Sequence, residues 1–173
     1  SPFETLQKLI PDYASKRGST KQLTIWSAAC STGQEPYSIA LLLNEHFRDL
    51  VATWRIRIIA TDISDVVLSR CREGIYSEIE IVRGLPQPLL TKYFTPFQGK
   101  WSIAQSCRRL VEFRQLNLTS QWPIMAPCDI IFLRNVLLYF DDHARSDILT
   151  KMQKALRPDG ALFLGGAETM LGI

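Results

Sequence analysis

Residues 24–38 read TIWSAACSTGQEPYS, an apolar run that passes through a turn of small residues into a helical pattern. The apolar, β-favouring start predicts a strand over Thr24–Ala29. Apolar side chains at helical spacing predict a helix over Glu35–Phe47. Small residues between a strand and a helix let a ligand approach the backbone closely. The stretch therefore predicts a strand–helix unit of an α/β protein with a ligand site at its turn.

The same alternation continues on both sides of this unit, so we predict a Rossmann-like parallel sheet flanked by helices. Ligands in such sheets bind at the carboxyl ends of the strands. We predict the last strand to follow a turn at Pro158-Asp159-Gly160. The other predicted strands are Arg55–Thr61, Val111–Leu116, Asp129–Leu133 and Ala161–Leu164, and the other helices are Phe3–Tyr13, Asp65–Cys71 and Asp142–Leu156.

Residues 74–109 break this rhythm and are predicted to form an inserted antiparallel β-subdomain within one domain that spans residues 1–173. A short polar helix, a turn at Leu85–Pro86 and a helix over Pro88–Phe94 come first. The segment KWSIAQS, residues 100–106, then alternates as a strand does.

The amino-acid composition of the chain excludes several classes of function. The chain has 173 residues, 46% of them hydrophobic, and a net charge of +3, which does not indicate nucleic-acid binding. No apolar run reaches the ~18 residues of a membrane span, and the first residues do not resemble a signal peptide. The 4 cysteines show no C-x-x-C spacing, so we expect reduced thiols in a cytoplasmic protein and no metal site.

The turn after the first strand favours one class of nucleotide-like cofactor. Its only glycine is Gly33, with Ala29 and Ser31 as other small residues, so the dinucleotide fingerprint G-x-G-x-x-G is absent. S-adenosylmethionine has no pyrophosphate, and its sulfonium and ammonium groups favour a nearby carboxylate, for which Glu35 is available. The alternative is a plain turn in which Glu35 only complements the helix dipole.

Polar residues follow the next strands at the same predicted edge of the sheet. Asp62 is placed to accept hydrogen bonds from ribose hydroxyls. The alternative is that it caps the next helix, although Ser64 and Asp65 also offer caps. Asn117 and Leu118 follow the third strand, and an amide beside an apolar side chain suits an adenine ring. An asparagine of an ordinary strand-end turn is the alternative.

The run from Asp129 to Asp141, DIIFLRNVLLYFD, carries a further group of candidates. Arg134 and Asn135 end a buried strand and should lie over the cleft. Tyr139 falls on the same side as Asn135 if the segment turns helically, so its phenol is a candidate for fixing the geometry of methyl transfer. The alternative is a core tyrosine with a satisfied hydroxyl.

Together these segments resemble the CheR-type chemotaxis receptor methyltransferases, over nearly the whole chain and in the same order. STGQEPYS and RNVLLYFD are specific to that family, and the others are general to class I methyltransferases. The segments are WSAACSTGQEPYSIALLL, ATDIS, REGIY, RGLP, KYF, VEFRQLNL, CDIIFLRNVLLYFD and LRPDGALFLGGAE.

The resemblance implies methyl transfer from S-adenosylmethionine to glutamates on the cytoplasmic helical bundle of chemoreceptors, giving γ-glutamyl methyl esters and S-adenosylhomocysteine. It implies a protein that is not inserted in the membrane and a β-subdomain of the kind that in some members docks a receptor tail peptide by strand addition. We expect a monomer. By resemblance, Glu35 lies by the methionine part of the cofactor and Asp62 by its ribose. Asn117 and Leu118 line the adenine site, and the turn of Leu133, Arg134 and Asn135 passes beside the cofactor. Tyr139 lies near the methyl group, and Arg134 and Tyr139 are the catalytic candidates.

The sequence departs from the family pattern in three places. An N-x-T-x-F-F-R segment and a helical domain usually precede this core, a β-hairpin usually follows it, and Gln34 stands where a glutamate is usual. We therefore expect a chain truncated at both ends. The alternatives for function are a catalytically inactive cofactor- or receptor-binding signalling domain and a small-molecule methyltransferase of the same fold.

Overall fold

Strands and helices alternate along the computed structural model, which describes residues 1–84, 87–123 and 127–165. A 3₁₀ helix, Leu137–Tyr139, follows the seventh strand. The other elements are α1 Pro2–Lys16, β1 Gln22–Ser27, α2 Gln34–His46, α3 Arg48–Thr53, β2 Arg55–Asp62, α4 Asp65–Glu73, β3 Ile75–Tyr76, α5 Glu78–Gly84, α6 Gln87–Tyr93, β4 Phe94–Phe97, β5 Lys100–Ile103, α7 Gln105–Arg108, β6 Val111–Gln115, β7 Cys128–Leu133, α8 Asp142–Ala155 and β8 Leu156–Leu164.

The main sheet has five strands in the order β6-β2-β1-β7-β8, all parallel, which confirms the predicted fold class. Strand β1 is central, with Ile25 opposite Ile58 of β2 and Ile130 of β7. The chain proceeds to opposite sides of β1 in its two halves, so β1 marks the point where the strand order reverses. Ligands of open α/β sheets bind at such a point, beyond the carboxyl ends of the strands.

Both faces of the sheet are covered, which explains the nearly continuous apolar strands. Ile25 and Ile58 point into a core cluster shared with α1, α2 and α4. Trp26 and Ile59 point to the other face, where they pack in a cluster with α8. None of the helices in the described ranges is both long and apolar enough to cross a membrane.

The insertion forms the predicted antiparallel piece, a sheet in the order β3-β5-β4. The helix predicted over Pro88–Phe94 is Gln87–Tyr93, and the predicted turn at Leu85–Pro86 lies outside the described residues. The strand predicted over residues 100–106 is only Lys100–Ile103, because α7 begins at Gln105. We did not predict β3, β4, α3 or α7. These elements are too short for periodicity to show, and β4 contains Pro96, which is tolerated because β4 is an edge strand.

The last strand begins earlier than predicted. Residues 158–160 lie inside β8 and not in a turn before it. Cys128 pairs with Leu156, but Ile130 pairs with Ala161, so the shift in register absorbs the Pro-Asp-Gly sequence. Helix α8 accordingly ends at Ala155, one residue before the predicted end.

Candidate functional site

The turn after β1 is held by backbone hydrogen bonds and by left-handed residues. Cys30 N donates to Thr61 O of β2 at 2.9 Å, and Gly33 N donates to Cys30 O at 2.9 Å. Ser31 has φ 49° and Gly33 has φ 94°. Gly33 is the N-cap residue of α2, so the turn places the amino end of that helix at the carboxyl edge of the sheet. Backbone N–H groups at such an edge favour electron-rich ligand atoms.

Gly33 is required sterically as well as conformationally. A Cβ atom there would lie 2.8 Å from the Tyr76 hydroxyl and 3.0 Å from Cys71 Sγ. The Tyr76 hydroxyl donates to Thr32 O at 2.8 Å, which ties the β-subdomain to the turn. Space for a side chain at this position would exist only if Tyr76 or α4 moved.

Replacing Gly33 with alanine is expected to destabilise the fold by about 1–2 kcal/mol through the left-handed backbone alone, and further through the clash with Tyr76. Gly99→Ala is the matched control, because Gly99 has φ 77° but a Cβ atom added there would meet nothing within 4 Å. Chemical denaturation of both variants measures the difference. Equal losses in the two variants would show that the close approach to Tyr76 is not present in solution.

Asp62 links the end of β2 to this turn. Its Oδ2 accepts a hydrogen bond from Ser31 N at 3.0 Å, and its Oδ1 accepts one from Ser64 N at 3.1 Å. The cap of α4 is Ser64, whose side chain accepts from Val67 N. The alternative that Asp62 caps α4 is therefore wrong, and its carboxylate faces the edge of the sheet with lone pairs available to a ligand.

A cleft of about 300 Å³ opens beside Asp62. Four residues predicted from the sequence, Ala29, Asp62, Asn117 and Leu118, line it. The prediction missed the other lining residues, although each lies close to a strand end that it had identified. These are Ala28, Ile63, Leu116, Thr119, Val136 and Phe140.

Asn117 has a defined orientation in the cleft. Its Oδ1 accepts hydrogen bonds from Thr119 N at 3.0 Å and from Thr119 Oγ1 at 2.8 Å. A backbone N–H can only donate, so this contact fixes which end of the amide is the oxygen. The Nδ2 group is then the end available to a ligand, and it can donate to a ring nitrogen of a purine.

Glu35 forms a polar cluster at the neighbouring strand ends. Its Oε1 accepts from the Ser27 hydroxyl at 2.7 Å, and its Oε2 lies 3.3 Å from Arg134 Nη1. The Arg134 guanidinium also lies 5.8 Å from the ring centre of Phe3, a cation–π contact. Burial raises the pKa of Glu35, and the Ser27 and Arg134 contacts oppose that rise. Glu35 is half-buried, and a neighbouring cation, here Arg134, favours the charged form of such a carboxylate.

Comparison with known proteins places the chain in a family. The model of the CheR methyltransferase SAM-binding domain matches residues 1–173. The chain belongs to this family. It is 40% identical to the chemotaxis protein methyltransferase Cher2 of Pseudomonas putida, an alignment that covers 99% of this chain and 64% of that protein. It is 38% identical to chemotaxis protein methyltransferase 1 of Pseudomonas aeruginosa, over 98% of this chain and 63% of the relative.

The CheR-family chain thus spans a little less than two thirds of these curated relatives. Among solved structures it is similar to PKMT2 from Rickettsia typhi in complex with AdoHcy, with a TM-score of 0.51 and 12% identity, over 84% of this chain and 21% of the other. At that identity the likeness shows the fold alone, a Rossmann-like α/β sheet.

The remaining residues predicted for the CheR-type site lie beside the cleft and not among its lining residues. Leu133 is fully buried at the end of β7. Asn135 has φ 59°, and a Cβ on Gly165 would lie 3.0 Å from Asn135 N, so the chain after β8 packs on this turn. The segment turns helically only over Leu137–Tyr139. Tyr139 is 76% exposed, which rules out the alternative of a core tyrosine.

In the part of the CheR-family chain that the structure describes, the cysteines and acidic groups do not form a metal site. All four cysteines are free and buried. Within residues 1–84, 87–123 and 127–165, no group of three or more His, Cys, Asp or Glu side chains is arranged to hold a metal ion.

Proposed function

We propose that this chain binds S-adenosylmethionine in the cleft beside Asp62 and transfers its methyl group to glutamate side chains of chemoreceptors. The relatives at about 40% identity are chemotaxis protein methyltransferases. The observation that supports the proposal most is the meeting of Asp62, Asn117 and Leu118 in one cleft beyond the strand where the order of the sheet reverses.

The donor set of the cleft fits this cofactor. Asp62 offers carboxylate oxygens to two ribose hydroxyls, and Asn117 Nδ2 offers a donor to the purine. Leu118, which is 6% exposed, provides an apolar wall for the ring. Glu35 lies in the first turn of α2, where it contacts Ser27 at the end of β1. We propose that its carboxylate pairs with the ammonium and sulfonium of the methionine part.

The acceptor side requires little acid–base chemistry. A glutamate carboxylate is ionised near neutral pH, so no general base is needed. When bound, the cofactor supplies an electrophilic methyl group on a cationic sulfonium. We propose that Arg134 attracts the acceptor carboxylate and that the exposed Tyr139 phenol orients it. The contribution of these residues is alignment of the oxygen with the methyl carbon at ~3 Å.

The direct test is methyl transfer from S-[methyl-³H]-adenosylmethionine to a chemoreceptor cytoplasmic fragment. The matched control is the same fragment with its methyl-accepting glutamates changed to glutamine. We expect label on the first fragment only, released as methanol by mild alkali, as is typical of a methyl ester. Binding of S-adenosylhomocysteine without transfer to any receptor would instead support a catalytically inactive domain.

For the partner and the compartment, we propose a monomer that acts in the cytoplasm on the receptor bundle. The three-stranded sheet has open edges at β3 and β4, and we propose that one of them adds a receptor tail peptide as a further strand. A fluorescent tail peptide should bind the chain, and backbone amide exchange in β4 should slow in the complex if β4 is the edge used. Slower exchange in β6 alone would contradict this location.

A further inference from the structure

The loop after β6 carries a tryptophan that the proposed chemistry does not use. Trp122 Nε1 donates a hydrogen bond to Leu118 O at 3.1 Å. Leu118 and its neighbour Asn117 line the cleft. The hydrogen bond from the indole therefore fixes the loop against Asn117 and Leu118, the two residues that are proposed to face the purine.

Trp122 is itself anchored to the core beneath the cleft. Its ring packs edge-on against Trp26, with ring centres 5.2 Å apart and an interplanar angle of 86°. Trp26 is fully buried in β1, and its Nε1 donates to Thr61 Oγ1 of β2 at 3.0 Å. Edge-to-face pairs favour a defined geometry over free rotation. The position of Trp122 is thereby coupled to the two central strands.

Helix α8 holds the same loop from the other side. Lys151 Nζ donates to Ser120 O at 2.9 Å and lies 3.5 Å from Leu118 O. The same ammonium lies 5.3 Å from the centre of the Trp122 ring. Backbone carbonyls and an aromatic face are both attractive partners for a cation. Trp122 and Lys151 together satisfy the carbonyls of Leu118 and Ser120.

We infer that Trp122, supported by Lys151, is a positioning residue for the purine half of the cofactor site. It does not touch the ligand cleft itself; it fixes the loop that presents Asn117 Nδ2 and the Leu118 side chain. A loop already held in its binding shape loses less conformational freedom when the ligand binds, and this strengthens affinity. The inference rests on the proposed function, since it assumes that the purine occupies this cleft.

The test compares S-adenosylhomocysteine with 5′-methylthioadenosine, which keeps the base and ribose but lacks the amino acid. Trp122→Phe keeps a ring against Trp26 and removes the indole N–H. We expect its dissociation constants for both ligands to rise by the same factor, about fivefold, as for the loss of one net hydrogen bond. Trp54→Phe, which changes a tryptophan outside the cleft, should leave both constants unchanged.

Two further variants separate positioning from general damage to the fold. Lys151→Met should weaken both ligands by about threefold, on the order of one weaker contact, in a chain that remains folded by circular dichroism. Glu35→Gln should weaken S-adenosylhomocysteine and leave 5′-methylthioadenosine unaffected, because Glu35 is placed at the amino-acid side.

Unchanged affinity in both Trp122→Phe and Lys151→Met would overturn the inference, as would an equal loss in Trp54→Phe. If Trp122→Phe does not fold, Lys151→Met alone decides. Failure of the wild-type chain to bind either ligand would instead overturn the proposed cofactor site, and the inference with it.

Discussion

Replacing Asp129 with alanine is expected to lower the free energy of unfolding by about 3–5 kcal/mol, the cost of breaking a buried ion pair from one side. Asp129 is 2% exposed at the start of β7. Its Oδ1 lies 2.8 Å from Arg17 Nε and 3.3 Å from Arg157 Nε, and its Oδ2 accepts from Thr24 N at 2.8 Å. The carboxylate thus joins α1, β1 and β8 to β7, and its loss leaves buried donors without their acceptor.

Thermal and urea unfolding measure this effect. At roughly 2–4 °C per kcal/mol, the midpoint should fall by roughly 6–20 °C. Asp12→Ala is the matched control, because Asp12 forms an exposed pair with Lys16 within α1 and is 57% exposed. Its loss should cost less than ~0.5 kcal/mol. Similar stabilities for the two variants would mean that the buried network does not form.

Glu35→Gln is expected to weaken binding of S-adenosylmethionine by roughly 10- to 100-fold, as for the loss of a hydrogen bond to a charged group. Glutamine keeps the shape and can still accept from the Ser27 hydroxyl, so the change removes mainly the charge. Calorimetry measures the loss, and Glu45→Gln is the control, because Glu45 lies at the other end of α2 and pairs with Lys92. Equal losses in both variants would contradict a local role for Glu35.

The pH dependence of binding gives a second readout of Glu35. Burial raises its pKa in the free protein, and a bound cation favours the ionised form. Affinity should therefore be full above the raised pKa and fall as the pH drops through it, with protons released on binding in that range. In Glu35→Gln this fall should disappear. The pH dependence of folding stability has the opposite sign. The raised pKa of Glu35 stabilises the folded state at low pH, and this stabilisation is lost as the pH rises through the pKa of Glu35 in the folded protein.

Several candidate residues could be located from the sequence because each lies at or just after the end of a strand. Asp62 and Asn117 were identifiable because parallel strands bring their carboxyl ends to one edge, so a polar residue after each strand must lie near the others. Ser64 was identifiable as the cap of α4 because caps depend on local backbone geometry, and its side chain accepts from Val67 N.

Contacts between distant segments were not predictable in this way. Arg134 and Glu35 are 99 residues apart, and Arg17 and Asp129 are 112 apart. The spacing of residues in the sequence does not show which arginine pairs with which acid, because the pairing depends on how α1 packs on the sheet. The position of Trp122 was not predictable from the sequence either, because residues 116–123 form no helix or strand and Trp122 is held by contacts with Trp26 and Lys151.

The most direct test of the account is calorimetric titration of S-adenosylhomocysteine into this chain and into Asp62→Ala. We predict saturable one-to-one binding by the wild type and at least a roughly tenfold weaker affinity for the variant, as for hydrogen bonds to an ionised acceptor. Circular dichroism of both proteins controls for folding. A folded wild type that takes up no ligand, or an Asp62→Ala variant that binds as tightly, would contradict the assignment of the cleft as the cofactor site.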